Sequence, residues 1–414
     1  MKIAIVIIGD EILLGRVTDT NSGAIARTFD PEGFEIVGVT TVGDNPADIT
    51  NAVRNAMTAA DLVFTTGGLG PTKDDMTKHV LRDIFGGEFV RDDSVTENIK
   101  RVFSAKGLKL NQLTLDQALV PDSCRVIQNA YGTAPVMWFE RDGKVLITLP
   151  GVPGETTRLL KGIVRDEVRR HFTPRTAYVH ETFIVTGISE SALAERLDTF
   201  EEELKDGFHL AYLPDSPIIR LRLDASGEDK EYLTAEMSRQ SEKLIGLLGE
   251  LMIHRGDASV AEIAIDMARE KGLTIGCAES CTGGKIAAMF TSVAGCSDTF
   301  MGGVVSYSND VKANVLNVSQ NDLDAHGAVS QPVVEQMTKG ACARLGVDCA
   351  VATSGIAGPG GGTPEKPVGT VWIGMTTPAG TVSALHHFNG DREAITRRAA
   401  TTAIVTLIKQ LKNL

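Results

Sequence analysis

Short, nearly uninterrupted apolar runs alternate with segments of helical period through the first part of the chain. Lys2–Ile8, Phe34–Val42, Leu62–Thr66 and Val145–Leu149 are too continuously apolar for strands with one wet face, so they predict strands covered on both sides. Between them, Asn21–Arg27, Ala47–Ala59, Thr77–Phe85 and Glu155–Phe172 repeat apolar residues every third or fourth position and predict helices. Strand and helix in alternation imply a mostly parallel sheet between two helical layers, an α/β/α domain over residues 1–172. Thr173–Thr176 reads as a linker.

The pattern then changes. Tyr178–Thr186, a Ser189–Leu204 helix, a hairpin of Phe208–Leu213 and Ile218–Leu223 around Pro214–Pro217, and an Asp229–Gly249 helix form a small α+β module over 173–252. Its order is KH-like, but no Gly-x-x-Gly clamp for a nucleic acid backbone is expected in it. Residues 253–414 return to α/β alternation. Val260–Lys271, Lys285–Val293, Asp310–Leu316 and Pro332–Leu345 predict helices, with strands at Leu273–Ile275, Phe300–Asn309, Cys349–Ser354 and Val368–Gly374. A last helix carries Arg397 and Arg398.

Composition narrows the function classes. The formal net charge of −12 and 5% aromatic content weigh against nucleic acid as a partner. Residues 175–250 alone hold 16 acidic and 8 basic side chains, a net of −8, so the module reads as a spacer or dimerisation element. No run is long enough to span a membrane, and the first apolar run ends in Gly-Asp-Glu without an export cleavage site. Six cysteines show no metal-ligand spacing. A cytoplasmic setting is the expectation.

The candidate chemistry sits in loops after strands, where open α/β sheets gather their ligands. In the first domain these are Gly9–Gly15 with Asp19 and Asn21, Val42–Asp44, Thr65–Thr77, Asn129–Pro135 and Leu149–Glu155. Gly67, Gly68 and Gly70 would expose backbone N–H groups, and Thr72 can cap the next helix. Asp74 and Asp75 either complement that helix dipole or, with Asp44, hold Mg²⁺ beneath an anionic ligand; Asp44 and Asp75 are the candidate metal ligands. Asn129, Gly132 and Thr133 offer an amide, close backbone and a hydroxyl, and Glu155 opens a helix. Neither a Walker A sequence nor a Gly-x-Gly-x-x-Gly after the first strand is present.

In the last domain, Ser280 lies in Gly276–Gly284, a small-residue turn expected at a helix start. Unpaired N–H groups there, around Thr282, Gly283 and Gly284, could hold an oxyanion, or Ser280 and Thr282 could simply cap the helix. Tyr307 and Lys312 follow a strand, Ser354 and Gly355 open a glycine-rich loop, and Arg392, Arg397 and Arg398 lie near the end. A serine nucleophile needs a base; His326, His386 and His387 fall outside the glycine loops, which leaves Lys312, or Tyr307 relayed by Lys312. The arginines would hold a phosphate.

These loops carry a resemblance. Gly9–Gly15, Thr65–Thr77, Asn129–Pro135 and Leu149–Glu155 look like the molybdopterin-binding domain, and more closely like the amino-terminal half of the competence/damage-inducible CinA family. Ala278–Gly284, Gly303–Lys312, Gly327–Ser330, Gly355–Thr363 and Pro367–Thr370 resemble that family's carboxy-terminal domain. The resemblance implies two activities. One is an amidohydrolase converting nicotinamide mononucleotide to nicotinate mononucleotide and ammonia without a cofactor, with Ser280 at the nucleophile position and Tyr307 and Lys312 in support. The other is a Mg²⁺- and K⁺-assisted cleavage of ADP-ribose to AMP and ribose 5-phosphate. It further implies small phosphorylated nucleotides as ligands and a homodimer. Val136 departs from the glycine many relatives carry after Thr-Ala-Pro, which is expected to narrow the amino-terminal pocket. A molybdopterin-binding protein and a competence or DNA-damage accessory are the alternatives.

Overall fold

The computed structural model describes residues 1–72, 75–172 and 177–414; Asp74 and the Thr173–Thr176 linker lie outside the described residues. The chain divides into two compact units, residues 1–180 with 225–237 and residues 181–224 with 238–414.

In the first unit the strands are β1 (Lys2–Ile8), β2 (Glu35–Val42), β3 (Leu62–Thr66), β4 (Phe89–Arg91), β5 (Leu119–Pro121), β6 (Arg125–Ile127), β7 (Val136–Arg141) and β8 (Lys144–Leu149). The six-stranded sheet runs β2-β1-β3-β8-β7-β6, and β4 pairs only with β5. β1, β2, β3 and β8 are parallel, whereas β7 and β6 close the far edge antiparallel. Alternate residues of β1 feed two cores. Ile3, Ile5 and Ile7 pack with Phe29, Phe64 and Leu159 on one face, and Val6 and Ile8 with Val53, Val63 and Leu81 on the other. This is the expected α/β/α sandwich. The segment expected as one helix over Glu155–Phe172 is two, Pro153–Leu160 and Ile163–His171, broken at Lys161-Gly162. Thr72 caps no helix; the next one begins at Thr77 with Met76 before it.

β9 (Ala177–Thr186), β10 (Phe208–Asp215), β11 (Ile218–Gly227) and β12 (Met252–Arg255) form a sheet in the order β10-β11-β9-β12. With helices Glu190–Glu202 and Lys230–Leu248 it gives the KH-like module. Gly246-Leu247-Leu248-Gly249 does have Gly-x-x-Gly spacing, contrary to expectation. It lies across the end of the second helix with Leu248 buried, not in a loop between helices where such a clamp works.

The last sheet, β14-β13-β15-β16-β17, comprises β13 (Ile275–Glu279), β14 (Phe300–Val305), β15 (Cys349–Gly355), β16 (Thr370–Thr377) and β17 (Gly380–His387). β13 is central, parallel to both neighbours and fully buried. Helices Val260–Glu270 and Arg392–Lys412 cover one face, and Asn309–Leu316 and Gln331–Leu345 the other. A capping box of Ser259 and Glu262 starts the Val260 helix. Among the described residues, no helix is long and apolar enough to cross a membrane.

Candidate active site

β13 runs four residues beyond its expected end, because Gly276, Cys277, Ala278 and Glu279 continue pairing with β14 and β15. Ser280 therefore sits at the carboxyl end of a central strand, and the helix Lys285–Thr291 starts only after the 280–284 turn. Strand alternation separates the side chains. Ile275 and Cys277 belong to one core and Ala278 to the other, where the Asn309–Leu316 helix packs. That helix buries Lys312 and Leu316, one turn apart.

Lys312 Nζ lies 3.0 Å from Ser280 Oγ, with the carbonyls of Ser306 (2.7 Å) and Tyr307 (3.2 Å) as its other partners. Lys312 is 1% exposed and Ser280 8%. Among the described residues no carboxylate pairs with Lys312, and burial pushes its pKa below the ordinary lysine value. Cys281 is no rival nucleophile: burial pushes its thiol up to about 12.

The oxyanion donors differ from expectation. Glu279, fully buried, accepts from the N–H groups of Gly284 (3.0 Å), Ile286 (3.0 Å) and Ala287 (2.9 Å), so this carboxylate takes the helix N-terminus. Gly283 N–H turns back to the Ser280 carbonyl (3.3 Å), and Thr282 Oγ1 bonds Thr353 Oγ1 (2.7 Å). Gly283, Gly284 and the Thr282 hydroxyl are thus committed to the turn. Among the described residues, the N–H groups of Cys281 and Thr282 have no backbone or carboxylate acceptor.

Ser280, Lys312, Tyr307, Asn309, Ser354, Gly355 and Arg392 line one cavity of about 210 Å³, and no histidine lines it. Tyr307 is 63% exposed; its carbonyl meets Lys312, while its hydroxyl accepts from Arg392 Nη2 (3.1 Å), so no phenol relay joins it to Lys312. Arg392 also donates to the Gly358 carbonyl (2.7 Å). Arg397 is drawn away to Asp215 (2.8 Å), and Arg398 donates to the Asn389 carbonyl (2.6 Å). Ser354 Oγ donates to the Ala328 carbonyl (2.6 Å), and Lys366 Nζ holds the Val329 carbonyl (2.8 Å), which together fix the Gly327–Ser330 wall. Glu279, Asn309 and Lys366 escape a reading of the sequence, although an acidic residue just before Ser280 is a visible signal for the first.

The first unit holds a separate cavity of about 490 Å³ at the carboxyl ends of its parallel strands. Gly67, Gly68, Gly70, Asp44, Asp75, Thr133 and Glu155 line it, joined by Glu11, Asp19 and Asn21. Five carboxylates and, among the described residues, no lysine or arginine face this space. Asp75 organises the glycine loop: its carboxylate accepts from Gly70 N–H (2.7 Å), Thr72 N–H (2.8 Å) and the Thr72 hydroxyl. It precedes the helix, so serving the helix dipole is not its role. Asn129 and Gly132 stand behind the wall; Asn129 Nδ2 donates to Glu155 (2.8 Å), and a Cβ on Gly132 would collide with that carboxylate. Val136 is buried in β7 and does not narrow the cavity. Asp44 and Asp10 exchange backbone N–H contacts (3.0 and 3.2 Å). The oxygen-only donor set suits a hard cation. No three metal-binding side chains converge among the described residues, so a cation here would keep most of its waters, as Mg²⁺ does. Asn21 Oδ1 is buried without a partner among the described residues, while its Nδ2 donates to Thr66 Oγ1 (2.8 Å) and the Gly151 carbonyl (2.9 Å).

Residues 4–170 match the probable molybdopterin binding domain, 180–252 the damage-inducible protein CinA KH domain, and 257–411 the CinA C-terminal domain. A CinA-like protein of Flavobacterium psychrophilum is 38% identical across 100% of this chain and 99% of its own length. One of Chlorobaculum tepidum is 37% identical across 100% of both. A solved structure of the competence/damage inducible protein CihA of Agrobacterium tumefaciens is 38% identical over 38% of this chain and 97% of its own, with a TM-score of 0.36.

Proposed function

The chain belongs to the CinA family, and from that premise we propose that residues 253–414 act as an amidohydrolase on nicotinamide mononucleotide. One observation carries the reading: a buried lysine without a carboxylate partner lies 3.0 Å from a strand-end serine. A neutral Lys312 takes the Ser280 proton, and Oγ attacks the carboxamide carbon. The Cys281 and Thr282 N–H groups receive the oxyanion, the C–N bond breaks, and the Lys312 proton leaves with ammonia. Water then releases nicotinate mononucleotide and frees Ser280. Arg392 is the proposed phosphate ligand, because of the three arginines it is the one that lines the Ser280 cavity. A product assay on the full chain tests this. Ser280→Ala abolishes ammonia release; near-normal release from that variant would leave water as the direct nucleophile.

For residues 1–172 the proposal is hydrolysis of ADP-ribose to AMP and ribose 5-phosphate, supported by the glycine loop and carboxylates around one cavity. Asp44 and Asp75 would hold Mg²⁺, which supplies charge neutralisation for the pyrophosphate; K⁺ is the second proposed ion. The matched domain favours molybdopterin as the competing occupant. AMP release, against retention of a fluorescent pterin, separates the two. Residues 173–252 are assigned a spacing and dimerising role in a homodimer, checked by the solution mass.

A further inference from the structure

A third cavity, of about 470 Å³, lies wholly within the second unit and belongs to neither proposed reaction. The turn into the Glu190–Glu202 helix, the β10–β11 turn, the end of β17 and one face of the Arg392–Lys412 helix enclose it.

Its polar groups are concentrated. The 13-residue Glu190–Glu202 helix begins at the wall. Ser189 satisfies Ala192 N–H (3.3 Å) and Leu193 N–H (2.9 Å), but among the described residues the N–H groups of Glu190 and Ser191 have no protein acceptor. Among the described residues Lys409 forms no ion pair or hydrogen bond, and it stands beside Gly187, where an added Cβ would be 3.5 Å from its Nζ. Thr402, nine-tenths buried, lies two turns before Lys409 on the same helix face, its hydroxyl unpartnered among the described residues and closed off from solvent. A helical threonine commonly donates to the carbonyl one turn back; Thr406 does so to Thr402, but Thr402 itself does not.

Ile188, Ile218 and Val405 make much of the remaining wall apolar, alongside the hydroxyl residues Thr186, Ser216 and Thr406, with the Phe388 ring stacked on His386 (5.6 Å between centroids, 8° between planes). Burial and His387 lower the His386 pKa, so this ring is neutral near pH 7. Glu190 is the one carboxylate lining the space; Asp215 beside it is paired with Arg397.

We propose that this cavity binds a small organic anion, a phosphate monoester or carboxylate on a ring-sized apolar body. The acidic head lies between the start of the Glu190 helix and Lys409, and the body lies against Phe388 and Val405. The volume suits such a molecule and exceeds what a bare inorganic anion needs.

Phenyl phosphate and benzoate are titrated calorimetrically into the full chain carrying Arg392→Ala, with chelator present to weaken anion binding at the two proposed reaction sites; Lys161→Glu is the control for the basic cavity lined by Arg27, Lys161 and Arg165. Saturable binding at one site is expected. Lys409→Glu weakens it by about tenfold and Glu190→Gln tightens it by about threefold, opposite signs that loss of packing would not produce. Lys409 and Glu190 are exposed, and unchanged circular dichroism verifies the fold. Tighter binding of phenyl phosphate assigns a phosphate head, and tighter binding of benzoate a carboxylate. Absence of saturable binding of both probes, or equal affinity in all three proteins, overturns the proposal.

Discussion

Lys312 gains its reactivity from what it lacks. Three oxygen partners solvate its nitrogen, yet none is anionic, so burial outweighs the opposing influence of Cys281 and disfavours the charged form. In the proposed mechanism the neutral amine is the base, and deamidation should therefore rise with pH through a pKa below the free lysine value, read from kcat/KM against pH. Lys312→Arg, permanently charged, should lose at least about a thousandfold at every pH. The sign for stability follows. With the folded pKa lowered, the unfolded chain binds more protons between the two values, so this residue's cost to the fold is greatest at low pH and relaxes as pH rises toward 10.5. Tyr307→Phe keeps the carbonyl that meets Lys312 and should change kcat less than about threefold, whereas Arg392→Ala should mainly raise KM. Glu279→Gln leaves one of its N–H donors unanswered and should cost about 2 kcal/mol in thermal unfolding while silencing deamidation. Ser280 can be read from the sequence as a serine in a small-residue turn, and Lys312 as a lysine on a short helix after a strand. Their pairing cannot, because 32 residues separate them and only the tertiary packing of the Asn309–Leu316 helix into the core shared with Ala278 brings them together.

Among the elements, the strands that announce themselves are β1, β3 and β8, buried on both faces and continuously apolar. β17 goes unseen since, as an edge strand, it alternates only between exposed and half-exposed residues; β4, β5 and β6 are too short for any period to show. The turn before the Lys285 helix is misjudged for another reason: glycine and cysteine look like loop, while small side chains are what a central strand squeezed between two neighbours requires. At Gly276 an added Cβ would approach Leu345 to 2.7 Å. The glycine loop after β3 is equally constrained. Gly67 has φ +102°, and a Cβ there would come within 1.9 Å of the Ile8 carbonyl oxygen. Gly67→Ala should abolish AMP formation and lower the first unit's melting temperature, with ammonia release retained.

At the scale of the whole molecule, each unit contains a cavity with its own chemistry: carboxylates and a glycine loop in one, a serine–lysine pair in the other. Chelation of divalent cations should stop AMP formation and leave deamidation unaffected, measured on one preparation with both substrates. The net charge of −12, together with the helical placement of Gly246–Gly249, predicts no retardation of DNA or RNA in a gel at physiological salt.

The carboxylate that pins the turn beside the nucleophile also offers a criterion for sorting relatives. Glu279 touches none of the space where an amide would react, so a search keyed to serine and lysine ignores it. If the proposed mechanism holds, a gene copy that preserved both residues but lost this anchor would pass as an enzyme and behave as a silent binder. The residue before Ser280 would then separate working copies from decayed ones, and reading it requires only one more column of sequence.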